Sequence, residues 1–313
     1  MASRSRRLWC FASPTVATLL GVGCLQLLTV KADSPPHCAA YIHAGDDGPL
    51  LTLFPMAGSK VTIPLPADLR RDFRLIATSP DGKAIYGQKN DPLGPTNAII
   101  KIEFKPTRCS VVQGSVGLGP IWFLSISQQP DRIFASGWSK RRGIGECGAF
   151  EIDPGAGTFR TLRAGVYPDC GGGGGDISRD GKRALGHQGD HLSLLDLETG
   201  AAHSLGTDLK DGVWSPDGRW IAATSDADRI VLIDATDTGR RRNLGSSGGA
   251  RLHWSPDSKY LLLSKSQLRC ALDLYFESLQ TLDVKTGKRS LVPSSRCEVG
   301  DGNVGWIDPA AVQ

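Results

Sequence analysis

Two short segments of this sequence carry residue types that could do chemistry. His187, Asp190 and His191 stand close together, and two imidazoles with a carboxylate form a donor set that divalent metal ions use. The run Gly245-Ser246-Ser247-Gly248-Gly249 matches the G-x-S-x-G pattern, in which a strand-to-helix turn exposes a nucleophilic serine. Both chemistries need a particular local structure, so the surrounding elements decide whether either can occur.

Those elements follow from a tetrapeptide that recurs between short apolar runs. It reads Ser-Pro-Asp-Gly or a close variant at Ser79–Gly82, Ser178–Gly181, Ser215–Gly218 and Ser255–Ser258. A second signature, Leu or Ile followed by Asp and then by Gly, recurs at Leu195–Gly200, Ile233–Gly239 and Leu282–Gly287, and more loosely at Ile152–Gly157. Asp can bond its own backbone and Gly tolerates positive φ, so both signatures predict tight turns between strands.

The repeating unit is predicted to contain four antiparallel strands, named a, b, c and d, with the first signature at the a–b turn and the second at the c–d turn. The residue before the motif serine, or its equivalent, is Thr78, Ile126, Ile177, Trp214, Trp254 and Trp306. These spacings of roughly 37 to 52 residues suit propeller blades. We therefore predict an all-β, six-bladed β-propeller of four-stranded antiparallel blades.

The sixth copy ends after its strand a, and its missing strands are predicted at the other end of the chain. Ala39–His43, Leu50–Phe54 and Lys60–Pro64 precede the first motif and would serve as strands b, c and d. The ring would then be closed by the C-terminal strand a joining the N-terminal strands b–d. Closure of this kind leaves no exposed sheet edge at the seam.

The Ser-Pro-Asp-Gly turns, each followed by an apolar strand b and then by Leu-Asp-x-x-Thr-Gly, resemble the WD40-like repeat of the TolB family of β-propellers. The resemblance covers about residues 36–310. It implies the propeller fold, which the propeller domains of prolyl oligopeptidase-type peptidases share. It implies no catalytic residue, because these repeats form the scaffold alone.

The N-terminal segment predicts export. Arg4, Arg6 and Arg7 precede a largely apolar stretch, Leu8–Val30, and Val30-Lys31-Ala32 has the small-x-small pattern of a cleavage site. We interpret residues 1–32 as a secretory signal peptide and 33–313 as a single TolB-like propeller domain. The mature protein would be periplasmic or secreted, with no stable membrane insertion. An uncleaved N-terminal anchor is the alternative, since the apolar stretch approaches membrane-spanning length.

Charge excludes one class of partner. All 32 acidic residues follow Ala32, whereas 32 of the 36 basic residues do. The domain after Ala32 is therefore formally neutral, and its one basic cluster, Lys140-Arg141-Arg142, suits a solvated b–c loop. A nucleic-acid partner is not expected, because such a partner needs a clustered excess of Lys and Arg.

Six cysteines remain after the predicted cleavage, and an even number in an exported domain indicates disulfides. Six cysteines allow 15 pairings, and the blade frame favours three of them. Cys147 with Cys170, and Cys270 with Cys297, would each join a b–c connection to the following d–a connection. Cys38 with Cys109 would span the closure seam on the opposite face. No Cys-x-x-Cys spacing points to a metal instead.

The remaining candidates have structural explanations beside the functional ones. A divalent cation could bind at the His187–His191 segment, or at the channel mouth if the protein is an enzyme. For the segment, an exposed polar hairpin tip is the favoured explanation, since the aligned loop at Thr224–Arg229 has no histidine. Otherwise no cofactor is expected. Ser247 precedes a strand rather than a helix, which disfavours a nucleophile. The motif aspartates are expected to cap their own turns, and His253 to line the channel or pack.

Glycines cluster in the d–a connections, which share one face of a propeller with the b–c connections. The candidate binding residues on this face are Gly117, Gly119, Gly172, Gly174, Gly248, Gly249 and Gly302. Glycine lets the backbone approach a ligand or partner closely, or it provides slack at a crowded centre. Both explanations stay open at this point.

We hypothesise an exported, non-catalytic propeller that binds a protein or a cell-envelope component through this glycine-rich face. The alternative is a propeller enzyme of the lactonase, lyase or hydrolase type, with polar residues converging at the channel mouth. A detached regulatory propeller of a peptidase system is a third reading. Carboxylates and histidines gathered within metal-ligand reach at the mouth would favour the enzyme.

Overall fold

Within the residues that the structure describes, the predicted turns and apolar runs form 24 strands, arranged in six sheets of four. The structure is a computed structural model, and it describes residues 38–44, 49–55, 60–65, 69, 73–89, 98–115, 118–127, 132–139, 146–165, 174–188, 191–270, 274–292 and 304–312. The proposed signal peptide lies outside these residues. Among the described residues, no helix has the length and apolarity needed to cross a bilayer.

Each sheet is one blade, with strands a to d in order from the inside outwards. Blade 6 contains β1 (Cys38–Ala44), β2 (Pro49–Phe54) and β3 (Val61–Pro64). Blade 1 is β4 (Phe73–Thr78), β5 (Ala84–Lys89), β6 (Ile99–Glu103) and β7 (Arg108–Val111). Blade 2 is β8 (Leu118–Ile126), β9 (Ile133–Ser139), β10 (Glu146–Asp153) and β11 (Thr158–Ala164). Blade 3 is β12 (Gly174–Ile177), β13 (Arg183–Gln188), β14 (His191–Asp196) and β15 (Ala202–Gly206).

The remaining strands complete the ring. Blade 4 is β16 (Leu209–Trp214), β17 (Trp220–Ser225), β18 (Arg229–Asp234) and β19 (Arg241–Ser246). Blade 5 is β20 (Arg251–Trp254), β21 (Tyr260–Cys270), β22 (Leu274–Asp283) and β23 (Arg289–Leu291). Strand a of blade 6 is β24 (Val304–Ile307), and one short helix, α1 (Pro309–Val312), follows it.

The ring closes as the sequence predicts. The closing sheet has the order β24-β1-β2-β3, and β1 pairs with β24 in an antiparallel ladder that sets Cys38 opposite Ile307 and Tyr41 opposite Val304. Beyond the ladder, the Asp308 amide donates to the Gly82 carbonyl at 2.9 Å. The predicted six-bladed architecture and its C-terminal closure are thus confirmed.

The core consists of six apolar clusters, one between each pair of neighbouring blades. Strand b of blade 5 shows how one strand contributes to two of these clusters. Leu261 and Leu263 pack towards blade 4, while Tyr260 and Leu262 pack towards blade 6. Because successive side chains of a strand alternate between faces, a continuous apolar strand serves two interfaces, and no blade buries its apolar surface alone.

The repeated tetrapeptide folds each a–b turn in the same way. In the first copy, the Ser79 hydroxyl donates to the Asp81 carboxylate at 2.6 Å, and that carboxylate accepts the Lys83 amide at 3.0 Å. Gly82 has φ +70, a left-handed conformation that glycine adopts without steric cost. The other copies repeat these bonds, which confirms the structural role predicted for the motif aspartates.

Candidate functional site

A cavity of about 470 Å³ lies on the propeller axis. All six a strands contribute to its lining, and the residue two places before each motif serine, or its equivalent, forms a ring around it. The members of this ring are Ala77, Ser125, Asp176, Val213, His253 and Gly305. Four of them are small or apolar, so Asp176 and His253 are the ionisable groups that the described residues contribute at this level of the axis.

Asp176 is held by the backbone of two neighbouring blades. Its carboxylate accepts the amide of Ile177 at 2.9 Å and the amide of Trp214, on β16, at 2.8 Å. Burial raises the pKa of Asp176 to about 7, although these two hydrogen bonds and the charge of Arg179 act in the opposite direction. A carboxyl group that exchanges its proton near neutral pH therefore faces the axial cavity.

Arg179 stands where three other copies of the turn have proline, at Pro80, Pro216 and Pro256. Its side chain lines the same cavity. Burial lowers the pKa of Arg179 to about 10, and the carboxylates of Asp176 and Asp217 counteract this shift. Within the part of the chain that the structure describes, the guanidinium donates no hydrogen bond. Its N–H groups are thus available to a molecule in the cavity.

His253 lies two blades further round the ring. Burial, with a smaller contribution from the Arg251 charge, lowers the pKa of His253 to about 4, so its imidazole is neutral at neutral pH. Its Nε2 atom is buried and has no hydrogen-bond partner among the described residues. Its backbone carbonyl accepts the Trp306 indole at 3.0 Å. Of the two positions expected for His253, lining the channel or packing, the structure shows the channel lining.

Trp214 differs from the two equivalent tryptophans. The indole N–H groups of Trp254 and Trp306 each donate to the carbonyl of a strand in the preceding blade, on Val213 and His253. The Trp214 Nε1 atom is buried but has no such acceptor in the described structure. The Arg183 guanidinium lies 4.9 Å above its ring, which holds the indole beside the cavity.

The glycine-rich candidates are partly described. The carbonyl of Gly119 accepts the Gln88 side chain at 2.9 Å, and Gly174 opposes Gly186 in the β12–β13 ladder. Both glycines therefore already serve the propeller's own hydrogen bonding. Gly117, Gly172 and Gly302 lie outside the described residues.

Gly248 and Gly249 belong to an ordered turn. Both have positive φ, and the Asp228 carboxylate accepts the hydroxyls of Ser246 and Ser247 and the Gly249 amide at 2.6, 2.5 and 2.8 Å. These bonds hold the pKa of Asp228 well below its usual range. A b–c turn is thus tied to the adjacent d–a turn on one face, which we name the d–a face.

This turn also explains the G-x-S-x-G match. The Ser247 hydroxyl is a donor to Asp228, and Ala250 leads directly into β20 rather than into a helix. A nucleophilic serine needs a base that accepts its proton, and no histidine among the described residues bonds to it. The described geometry gives Ser247 a turn-forming role.

The two candidate histidines lie on opposite faces of blade 3. In the β13–β14 ladder His187 opposes Leu192, and His191 opposes Gln188. Directly opposed residues share a face and adjacent residues alternate, so the imidazoles of His187 and His191 point away from each other. Asp190 lies outside the described residues, and among the described ones no group of three metal-ligating side chains occurs.

Two of the predicted cysteine pairs involve undescribed partners. Cys147 is buried and disulfide-bonded, and its predicted partner Cys170 lies outside the described residues. Cys270 ends β21, and Cys297 is also outside them. These pairings stay predictions.

The third predicted pair lies at the closure seam. Cys38 is a buried thiol in this structure, and burial, with the Asp308 charge, raises its pKa to about 11. Cys38 and Cys109 pack on the same apolar cluster between blades 6 and 1. Both side chains are thiols in this structure, so the predicted bond between them is not formed there.

One further feature of the d–a face was not predicted. Strand β21 has 11 residues, whereas strands b of blades 1, 3 and 4 have six. Its ladder with β20 ends at Ser264, and the ladder of β22 with β23 begins at Gln280. Residues 265–270 and 274–278 pair only with each other. This two-stranded ribbon extends the b–c hairpin past the blade.

Sequence reasoning missed Asp176, Arg179 and Trp214 as cavity residues. A signal for the first two was present, because Arg179 breaks the Ser-Pro-Asp-Gly consensus and Asp176 places a carboxylate where the aligned copies have Ala77, Val213 or Gly305. The prediction counted Ser178–Gly181 as a close variant of the turn and gave neither Arg179 nor Asp176 a role of its own. The missing indole acceptor of Trp214 depends on packing and has no sequence signal.

Comparisons with known proteins agree on the architecture. No family model and no curated protein matches this sequence. Among solved structures, a putative TolB from Agrobacterium tumefaciens superposes with a TM-score of 0.53 at 15% identity, covering 82% of this chain and 87% of the other. A chain of a nidogen/laminin complex gives 0.56 at 11%, covering 87% and 97%.

An oligogalacturonate lyase from Vibrio parahaemolyticus gives a TM-score of 0.52 at 13% identity, covering 86% of this chain and 83% of the other. At these identities the likeness concerns the fold alone, and the three proteins differ in function. The sheet topology and these likenesses together show that the chain has the six-bladed β-propeller fold.

Proposed function

We propose that this chain is an exported, TolB-like, non-catalytic propeller that binds a protein or a cell-envelope component on its d–a face. The observation that carries the proposal is the β21–β22 ribbon. It extends beyond the blade on the face where the b–c and d–a connections lie, and no other described strand pairs with its edges.

A ribbon whose edges pair with no other described strand is suited to binding a partner. A two-stranded hairpin is only marginally stable alone in water, and its free N–H and C=O groups can pair with an added strand. The scaffold does not need the ribbon, because blade 5 already packs against blades 4 and 6 through residues before 265 and after 278. Binding is a function that would account for the extra length.

The neighbouring 246–249 turn also supports binding on the d–a face. The Asp228 carboxylate fixes the 246–249 turn by three hydrogen bonds, so a partner would meet a surface that is already ordered. Pre-ordering lowers the entropic cost of association. Gly249 has no atom of another residue within 4 Å of a Cβ built on it, which leaves open space above the backbone there.

The test shortens the ribbon without altering the blade. Lys265 and Ser278 face each other in the ladder, so an Asn-Gly turn can replace Ser266–Glu277. The shortened protein also carries Cys297→Ser, and the matched control keeps the full ribbon with Cys270→Ser and Cys297→Ser. Both are crosslinked in cells of the native host and their partners are identified by mass spectrometry.

We expect the control to capture a specific partner that the shortened protein loses, while the two proteins share the same melting temperature. Recovery of the same partners by both proteins would contradict binding through the ribbon. Recovery of none by the control would contradict the binding function itself.

Export is a separate part of the proposal. It rests on the Arg4–Arg7 segment, the apolar stretch and the Val30-Lys31-Ala32 site. N-terminal sequencing of the protein from the native host should find Asp33 as the first residue. An intact N-terminus in the membrane fraction would support the anchor instead.

An enzyme is the second candidate, and the axial cavity is the observation that favours it. Asp176 and His253 both line it with strongly shifted pKa values, and such groups often mark sites of proton transfer. Turnover of lactones, esters or uronate oligomers by the purified domain, abolished by Asp176→Asn, would establish this function. A domain inactive on all three classes would leave the binding proposal.

A further inference from the structure

Arg179 departs from the repeated a–b turn and lines the axial cavity, away from the ribbon. The other full copies of the a–b turn carry proline or glutamine at this position. The Arg179 side chain is half-buried, and a guanidinium at the wall of a cavity can share two of its N–H groups with a planar acceptor bound there. Here it faces the cavity with no acceptor among the described residues.

Two buried polar atoms of other lining residues also lack a hydrogen-bond partner in the described part of the chain. The Trp214 side chain is 5% exposed and its Nε1 group lacks an acceptor, and His253 Nε2 is also unpartnered among the described residues. Phe123, Leu252 and Trp254 add apolar surface to the lining. The cavity volume of about 470 Å³ falls in the range of small-molecule sites.

We propose that the axial cavity is a binding site for a small organic carboxylate, whose carboxylate group is held by the Arg179 guanidinium. The planar guanidinium matches a carboxylate with two parallel N–H···O bonds. The apolar lining contacts the organic part of the ligand, which an inorganic anion lacks.

The charges around Asp176 make this binding depend on pH. Arg179 and Asp217 lie on neighbouring a–b turns, while Asp211 and Arg251 line the cavity from β16 and β20. His253 stays neutral above about pH 4. Between pH 6 and pH 8 the main change is the ionisation of Asp176, and its negative charge repels a bound carboxylate. Affinity should fall as the pH rises through this range.

The test measures binding by titration calorimetry at pH 6 with acetate, succinate and benzoate, and with benzamide and inorganic phosphate as comparison ligands. Arg179→Pro restores the turn sequence of blades 1, 4 and 5, so the variant should fold; Arg179→Gln provides a second variant. Arg240→Gln, which removes an exposed arginine from a c–d turn, is the matched control for charge.

We expect at least one carboxylate to bind saturably and at least about ten-fold more tightly than benzamide or phosphate, since charge-assisted bonds are the strong ones. Both Arg179 variants should weaken it about ten-fold or more, and Arg240→Gln less than about two-fold. Affinity should fall about ten-fold from pH 6 to pH 8, and less in Asp176→Asn.

Three results would overturn the proposal. These are the absence of saturable binding by all three carboxylates, equal binding of phosphate or benzamide, and unchanged affinity in a folded Arg179→Pro protein. None of them bears on the ribbon experiment, whose readout is partner capture by the d–a face.

Discussion

At the scale of single residues, comparing the repeats distinguishes side chains that build the scaffold from side chains that depart from the repeat. Ser79 and Asp81 have counterparts that make the same turn bonds in three other blades. Asp176 and Arg179 have no counterpart of like charge, and they lie on the axial cavity. Side chains that differ from an otherwise constant repeat are therefore the ones whose chemistry the fold does not require.

Asp176 and His253 should give the stability opposite dependences on pH. Folded Asp176 keeps its proton up to about pH 7, whereas its ordinary pKa is 3.8, so this group makes the folded state less stable as the pH rises between these values. Folded His253 has a pKa of about 4 against an ordinary 6.5. Its contribution therefore makes the folded state more stable as the pH rises from 4 to 6.5.

Urea unfolding of two variants between pH 5 and pH 8 separates these effects. Asp176→Asn loses one of the two oxygens that accept backbone amides, so it should be less stable than the wild type overall. Its deficit in the free energy of unfolding should shrink as the pH rises from 5 to 7. The free energy of unfolding of His253→Gln should rise relative to that of the wild type as the pH falls from 7 to 5. Stability profiles parallel to the wild type would show that neither group titrates as described.

At the scale of elements, one turn geometry occurs in different surroundings. Gly82 and Gly218 have φ +70 and +73 in equivalent a–b turns. A Cβ on Gly82 would lie 2.9 Å from the Asp308 amide nitrogen, whereas a Cβ on Gly218 would meet nothing within 4 Å. Substitution of Gly218 therefore tests backbone strain alone, whereas substitution of Gly82 tests backbone strain together with the packing at the closure seam.

Alanine substitutions at these positions should differ in cost. Gly218→Ala should destabilise by about 1 kcal/mol, because an L-residue there must adopt the left-handed conformation. Gly82→Ala should cost about 1 to 3 kcal/mol more, since the backbone around Asp308 must also move. Denaturant unfolding of both variants measures the difference. Equal losses would indicate that the contact between Gly82 and Asp308 does not constrain the seam.

The same elements show how far sequence reasoning reaches. Turn signatures and strand periodicity are local, so they predicted the a–b turns, the six blades and even the closure by Trp306 and its neighbours. The extra length of β21 was missed because Lys265–Cys270 is mostly polar and has neither the apolar pattern of a buried strand nor a turn signature. The acceptor-free state of Arg179 and Trp214 depends on packing between blades, which no local pattern encodes.

At the scale of the whole molecule, the closing blade joins the two ends of the described chain. Trp306 is 1% exposed and belongs to the cluster with blade 5, while Ile307 belongs to the cluster with blade 1. A stop after Asn303 removes both and leaves β1 without its ladder to β24. A stop after Pro309 keeps the ladder.

The shorter protein should therefore lose cooperative unfolding and associate through its free edge, while the protein ending at Pro309 should melt as a monomer near the wild-type temperature. Differential scanning calorimetry and size-exclusion chromatography distinguish the two. A monomeric, cooperatively folded protein ending at Asn303 would contradict the role of β24 in closing the ring.

We propose that this propeller binds its partner on the d–a face, with the β21–β22 ribbon. Hydrogen–deuterium exchange of the protein alone and with the partner captured by the full-ribbon control tests it most directly. Amides in residues 265–278 and 246–250 should exchange more slowly when the partner is bound. Protection confined to the a–b turns at 79–83, 178–182 and 215–219, with no change in the ribbon, would contradict it.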